Sequence, residues 1–170
     1  MTDDVRTALA PVDRDAAERM WRDYVAAHPE RATAHDEHPV ECFGDSAELA
    51  DELIGLVLHG PKRATAGLVV DFAREGEPLP RIGGHWVACD GSGAPRAVLR
   101  TTELRIGPIE SVDDAFAYDE GEGDRTRDDW LRGHRGYFTR TCAALGERFT
   151  DEHEVVFERF AVVWPAEATG

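Results

Sequence analysis

The chain has 170 residues, 42% of them apolar, which is enough for one ordinary domain that buries its own core. No apolar run approaches the roughly 20 residues a bilayer span needs, and Met1-Thr2-Asp3-Asp4 is acidic where a secretory leader would be basic and then apolar, so a cytoplasmic protein with no membrane partner is expected. The net charge of −15 argues against tight, sequence-independent binding of duplex nucleic acid, because such affinity comes from basic side chains displacing condensed counterions.

In chain order, the stretch to about Val12 has little periodicity and is expected to fray. Asp13 is placed to cap a helix on which Ala17, Met20, Trp21, Tyr24 and Val25 recur at helical spacing, until His28-Pro29 ends the pattern. His35, Asp36, Glu37, His38 and Cys42 are metal-ligand types, but their spacing matches no closed zinc pattern, and no metal or cofactor is expected. Three cysteines, Cys42, Cys89 and Cys142, suggest buried thiols and not a disulfide framework.

A second helix starts at Asp45 or Ser46, with Glu48 three residues after Asp45 as in a capping box, and carries Leu49, Leu53, Leu56 and Val57 on one face. Gly60 and Pro61 end it, the glycine by supplying a left-handed cap and the proline by being unable to continue a helix. Residues 64–72 then read as a strand, and residues 86–89, 90–93 and 96–106 as strand, turn and strand. A short helix over residues 111–118, a glycine-broken acidic loop over 119–124 and a longer helix over 127–145 precede a last strand over 155–163, closed by Pro165. Strands interrupted by helices without regular alternation predict an α+β fold with a small, mostly antiparallel sheet or barrel.

Of the nineteen basic residues eighteen are arginine, and the single lysine, Lys62, lies just past the second helix in Gly60-Pro61-Lys62-Arg63-Ala64-Thr65. Arginine stays protonated in proteins, whereas a desolvated ammonium can be tuned into a base, so the one retained lysine is the first candidate for chemistry. Residues 60–106 around it carry 7 basic and 5 acidic side chains, while residues 1–59 carry 5 and 14 and residues 107–170 carry 7 and 15. A mildly basic middle in an acidic body suits a pocket for one base or a few phosphates. Lys62 with its proton removed could activate Thr65 as a nucleophile, provided a turn or bulge brings the two together. The plainer alternative makes Thr65 a strand former and Lys62 a cation at a helix end. Glu120 or Glu122 could supply a carboxylate, or belong to a solvated turn. Trp130, His134, Tyr137 and Thr141 share a helix face that is either core or a stacking platform for a base.

Taken together, the apolar helix running into Gly60-Pro61-Lys62-Arg63-Ala64-Thr65, the segment Arg100-Thr101-Thr102-Glu103, residues 116–125 (FAYDEGEGDR), the Trp130, His134, Tyr137-Phe138 pattern and Phe157-Glu158-Arg159-Phe160 resemble an ASCH domain. The likeness spans roughly residues 43–165, leaving 1–42 as an N-terminal extension with one helix and 166–170 as a tail. It implies a PUA-like, mostly antiparallel β-barrel with flanking helices, whose relatives bind RNA or modified bases in a cleft. Some small ASCH proteins are amidohydrolases that deacylate N4-acylcytidine with a Lys-x-x-Thr pair and a glutamate; others are linked to cleavage of single-stranded RNA. By resemblance Lys62 and Thr65 stand at that pair, and Glu120 fits the glutamate best, with Glu122 as competitor. Arg63, Tyr118, Glu122, Arg125, Trp130 and His134 are the expected ligand-binding residues, and single-stranded RNA or a modified nucleoside the expected partner. The extra N-terminal helix could cover the cleft or form a homodimer contact. A single-stranded RNA ribonuclease and a binding module without chemistry are the competing readings.

Overall fold

The computed structural model describes residues 6–170, in the order α1 (Arg14–Ala27), β1 (Val40–Cys42), α2 (Ala47–His59), β2 (Ala64–Leu68), α3 (Val69–Glu75), β3 (His85–Cys89), β4 (Pro95–Pro108), α4 (Asp114–Glu120), α5 (Arg127–Ala144) and β5 (Glu154–Trp164). The five strands form one sheet in the order β1-β3-β4-β5-β2. Pairing is parallel between β1 and β3 and antiparallel in β3-β4 and β2-β5. The fold is therefore α+β with an open, mixed sheet and flanking helices. The expected barrel does not close, because β1 and β2 end the strand order as edges.

The chain divides into two compact units, one of residues 6–60, 83–100 and 161–170 and one of residues 61–82 and 101–160. In the first, Ala17, Trp21 and Tyr24 of α1 pack with Ala32, Val87, Val98 and Val163. The Asp13 side chain caps α1 by accepting from the Ala16 amide at 2.9 Å, as the sequence suggests. Ser46, not Asp45, caps α2, accepting from the Leu49 amide at 3.2 Å. Gly60 ends α2 in an extended conformation instead of the anticipated left-handed one. Residues 6–12 do not fray: the Ala47 amide donates to the Thr7 carbonyl and the Ala10 amide to that of Gly91, while Glu48 accepts from the Thr7 amide. Residues 1–5 of the same stretch lie outside the described residues.

The second unit carries its own core, in which Leu68, Ile109, Phe116, Trp130, Leu131, Phe138, Val155 and Phe157 are buried together. The strand expected over residues 64–72 stops at Leu68, and the chain turns into α3, closed by Gly76 at φ 70. The aliphatic run Leu68-Val69-Val70 fits either element, and composition alone does not separate them. Thr65 of β2 stands opposite Glu158 of β5, and Ala64 opposite Arg159. Glu120, expected in a loop, is the last residue of α4 and faces inward.

Candidate functional site

Two backbone features of the second unit set the geometry around Lys62. The Arg63 amide donates to the Asp119 carbonyl at 2.8 Å, and the Phe160 amide donates to the Arg63 carbonyl at 3.0 Å, so this segment is held between the end of α4 and β5. Gly121 then ends α4 at φ 70, and a Cβ there would meet Lys62 Cα and N at 2.8 Å. Glycine is required twice over, for the left-handed backbone and for the close approach.

With the C-terminal end of α4 against its backbone, the Lys62 side chain is 1% exposed. Its Nζ donates to the Ala64 carbonyl at 2.8 Å, to Glu120 Oε1 at 3.2 Å and to Glu122 Oε2 at 2.8 Å, with the Glu120 carbonyl at 3.4 Å. An ammonium has three protons to give, and these acceptors take them all. Burial works to strip the charge, but the carboxylates of Glu120 and Glu122 outweigh it and raise the Lys62 pKa above its ordinary value. At rest Lys62 is therefore a held cation, and acting as a base requires that a proton be taken from it first.

Glu120 is 2% exposed on its side chain, and its second oxygen accepts from Trp130 Nε1 and lies 2.9 Å from His134 Nε2. His134 Nδ1 lies 3.0 Å from the Trp130 carbonyl, which can only accept, so Nδ1 carries a proton and Nε2 shares the next one with Glu120. The imidazole lies flat on the Trp130 indole, centroids 3.9 Å apart and planes 13° apart. Burial pushes the Glu120 carboxyl up, but His134 and Lys62 together bring it below the ordinary range. Burial likewise disfavours the imidazolium, yet the Glu120 charge raises His134 above its ordinary value. Glu122, more exposed, is pushed up by burial beyond what Lys62 offsets. The sequence places Trp130 and His134 one turn apart on α5; the fold adds Glu120 beneath them.

Of the other expected residues, Tyr118 is exposed and takes the Arg125 guanidinium over its ring at 3.5 Å. Arg125 holds a left-handed backbone at φ 63, and its Nε donates to the Tyr118 carbonyl at 2.8 Å. These two line an open depression with Asp114, Asp119 and Thr126. Arg63 is half-buried and turns one guanidinium nitrogen to the Lys62 carbonyl at 2.7 Å. Thr65 is half-buried on β2, one residue beyond the carbonyl that Lys62 reaches. Because Lys62 precedes the strand, strand parity does not force the two side chains apart.

Sequence reasoning gave no role to Glu158, buried on β5 with Thr101 Oγ1 donating to it at 2.8 Å. A buried carboxylate opposite Thr65 is legible only once the register is known. Arg159 bridges Asp119 at 3.1 Å and Glu103 at 2.9 Å. As to metals, Glu120, Glu122 and His134 offer ligand atoms within 4.8 Å of one another. The Lys62 ammonium is hydrogen-bonded to both carboxylates, and the Nε2 of His134 faces Glu120, so the cluster is already supplied with cations.

The ASCH domain family model matches residues 40–164, and the chain belongs to that family. It is similar to the crystal structure of an ASCH domain from Lactobacillus crispatus JV V101, at 27% identity and a TM-score of 0.76 over 88% of this chain and 94% of that one. It is similar also to protein EF3133 from Enterococcus faecalis V583, a DUF984 protein, at 31% identity and a TM-score of 0.76 over 88% of both chains. No curated protein matches it.

Lys62→Met should lower stability by about 3–5 kcal/mol, because it leaves the buried Glu120 and the half-buried Glu122 without their shared ammonium. Urea unfolding measures this, and adding Glu120→Gln to Lys62→Met should recover part of the loss. The His134 pair adds a pH dependence. A histidine whose folded pKa is raised contributes stability that is complete below its unfolded value of about 6.5 and is lost as pH rises through the folded value. The stability advantage of the wild type over His134→Gln should therefore be largest on the acid side of that value and shrink toward alkaline pH.

Proposed function

We propose that this ASCH domain, of the general RNA- or nucleoside-binding kind, is a hydrolase of N4-acylated cytidine that uses Lys62, Thr65 and Glu120. The observation that carries the reading is a sole lysine, buried, hydrogen-bonded to two carboxylates and to the carbonyl next to Thr65. Glu122 is the proton acceptor that lets the held ammonium become a base. It lies 2.8 Å from Nζ, and burial drives it toward its neutral form. The neutral amine then takes the Thr65 hydroxyl proton as the oxygen attacks the acyl carbonyl. The C–N4 bond breaks, N4 takes the proton that Lys62 received from Thr65 and leaves as the amine of cytidine, and water hydrolyses the acyl-threonine to free acid and threonine. Glu120, fixed by Lys62, Trp130 and His134, holds the ammonium in place. The exposed Tyr118 ring with Arg125 across it offers an aromatic face for a base, in keeping with an acidic body that suits a nucleoside better than a long RNA.

A second reading has one observation in its favour. An ammonium whose protons are all donated internally has none left for a phosphate or an oxyanion, which suits a positioning role in a domain that binds single-stranded RNA or a modified nucleoside without chemistry. The same saturation weighs against a ribonuclease that would use Lys62 to stabilise charge on phosphorus.

The test is turnover of N4-acetylcytidine and of labelled single-stranded RNA by wild type, Thr65→Ala, Thr65→Ser and Glu122→Gln. Wild type should deacetylate the nucleoside, Thr65→Ala should not, Thr65→Ser should retain part of the rate, and Glu122→Gln should lose about 10²–10⁴-fold. Binding of the nucleoside with no turnover by wild type would leave the binding module, and RNA cleavage surviving in Thr65→Ala would establish the ribonuclease.

A further inference from the structure

Outside this cluster, in the other compact unit, two of the three cysteines meet. β1 and β3 run parallel, with Cys42 in direct register with Cys89. Registered residues on neighbouring parallel strands point to the same face, and strands about 4.7–4.9 Å apart fall inside the Cα separation of about 4.4–6.8 Å that a disulfide accepts. The Cys42 thiol is half-buried, at the exposed end of the pair, with Sγ 3.4 Å from the Asp90 carbonyl; Cys89 is fully buried. On its other side Cys89 faces Pro95 of β4 across an irregular register. Proline has no amide to donate, so Pro95 can join the ladder there only through its carbonyl, and the next amide, that of Asp90, donates to the Ala94 carbonyl at 2.9 Å.

We propose that Cys42 and Cys89 are a peroxide-responsive thiol pair that closes into a reversible disulfide, with Cys42 oxidised first and Cys89 resolving it. The Cys42 thiolate attacks one oxygen of a hydroperoxide, the O–O bond breaks, and the other oxygen leaves as water or alcohol. The resulting sulfenic acid is attacked by the Cys89 sulfur; the S–O bond breaks and water departs with the remaining proton. The two thiols lose two electrons and the peroxide gains them. Partial exposure of one thiol and burial of its partner suits this order. The hydrogen bond from Cys89 also lowers the Cys42 pKa, against burial and the nearby Asp90, Glu41 and Asp51, while the same bond and burial raise that of Cys89. A bond between directly registered neighbours lies toward the short end of the permitted span, and the partial exposure of the Cys42 sulfur gives a reductant access to it.

Cys142, buried on α5, is the internal control. The experiment treats the full chain with hydrogen peroxide, then counts alkylatable thiols after denaturation and maps the peptides. The three thiols should fall to one, the molecular mass should drop by two hydrogens without dimer formation, a linked peptide should contain Cys42 and Cys89, and dithiothreitol should restore all three. In Cys89→Ser, dimedone should trap a sulfenic acid at Cys42. Three surviving thiols, a disulfide that involves Cys142 or a second chain, or Cys42 passing directly to sulfinic acid in the wild type would each overturn the proposal.

Discussion

A single buried ammonium organises the second unit. Lys62 gives its protons to the Ala64 carbonyl at the start of β2, to Glu120 at the end of α4 and to Glu122 in the loop beyond, so one side chain ties together three stretches of chain. Desolvating a charge costs several kcal/mol and is tolerated only where partners repay it. Here the partners are two carboxylates and the carbonyl end of a helix, whose dipole adds to the attraction. Gly121 makes the approach possible, since any side chain there would strike the Lys62 backbone.

The second layer of the arrangement is the proton shared between Glu120 and His134. Because the Trp130 carbonyl fixes the Nδ1 proton, Nε2 is the one position whose protonation can change, and it faces the same carboxylate that Lys62 holds. When all four are ionised, lysine, histidine and the two glutamates sum to zero, which suits a set held at low exposure. The set can move a proton among its members without changing its net charge, a property that suits acid-base chemistry as well as rigid positioning.

Much of this is legible in the residues, for identifiable reasons. The lone lysine among eighteen arginines marks Lys62, the helical spacing of Trp130 and His134 places them on one face, and the caps at Asp13 and the stop at Gly60-Pro61 follow from local stereochemistry. The inward turn of Glu120 is not local. Its neighbours Asp119 and Glu122 look equally solvated in the sequence, and only the packing of α4 against α5 and Lys62 separates them. The short parallel strand β1 escapes for a similar reason, since Val40-Glu41-Cys42 has three residues and no alternation long enough to read. An open sheet and a closed barrel differ in whether two edges meet, which strand patterns do not encode.

The account rests on Lys62 being held as a cation by Glu120 and Glu122, and its being the only lysine makes that directly measurable. NMR of selectively labelled lysine would give one side-chain signal, to be followed through the alkaline range. The account predicts that it titrates above the ordinary lysine value of 10.5, and that Glu122→Gln brings the midpoint down. A Lys62 that titrates well below that value in the wild type would mean that desolvation, and not the two carboxylates, governs the site, and would contradict the account.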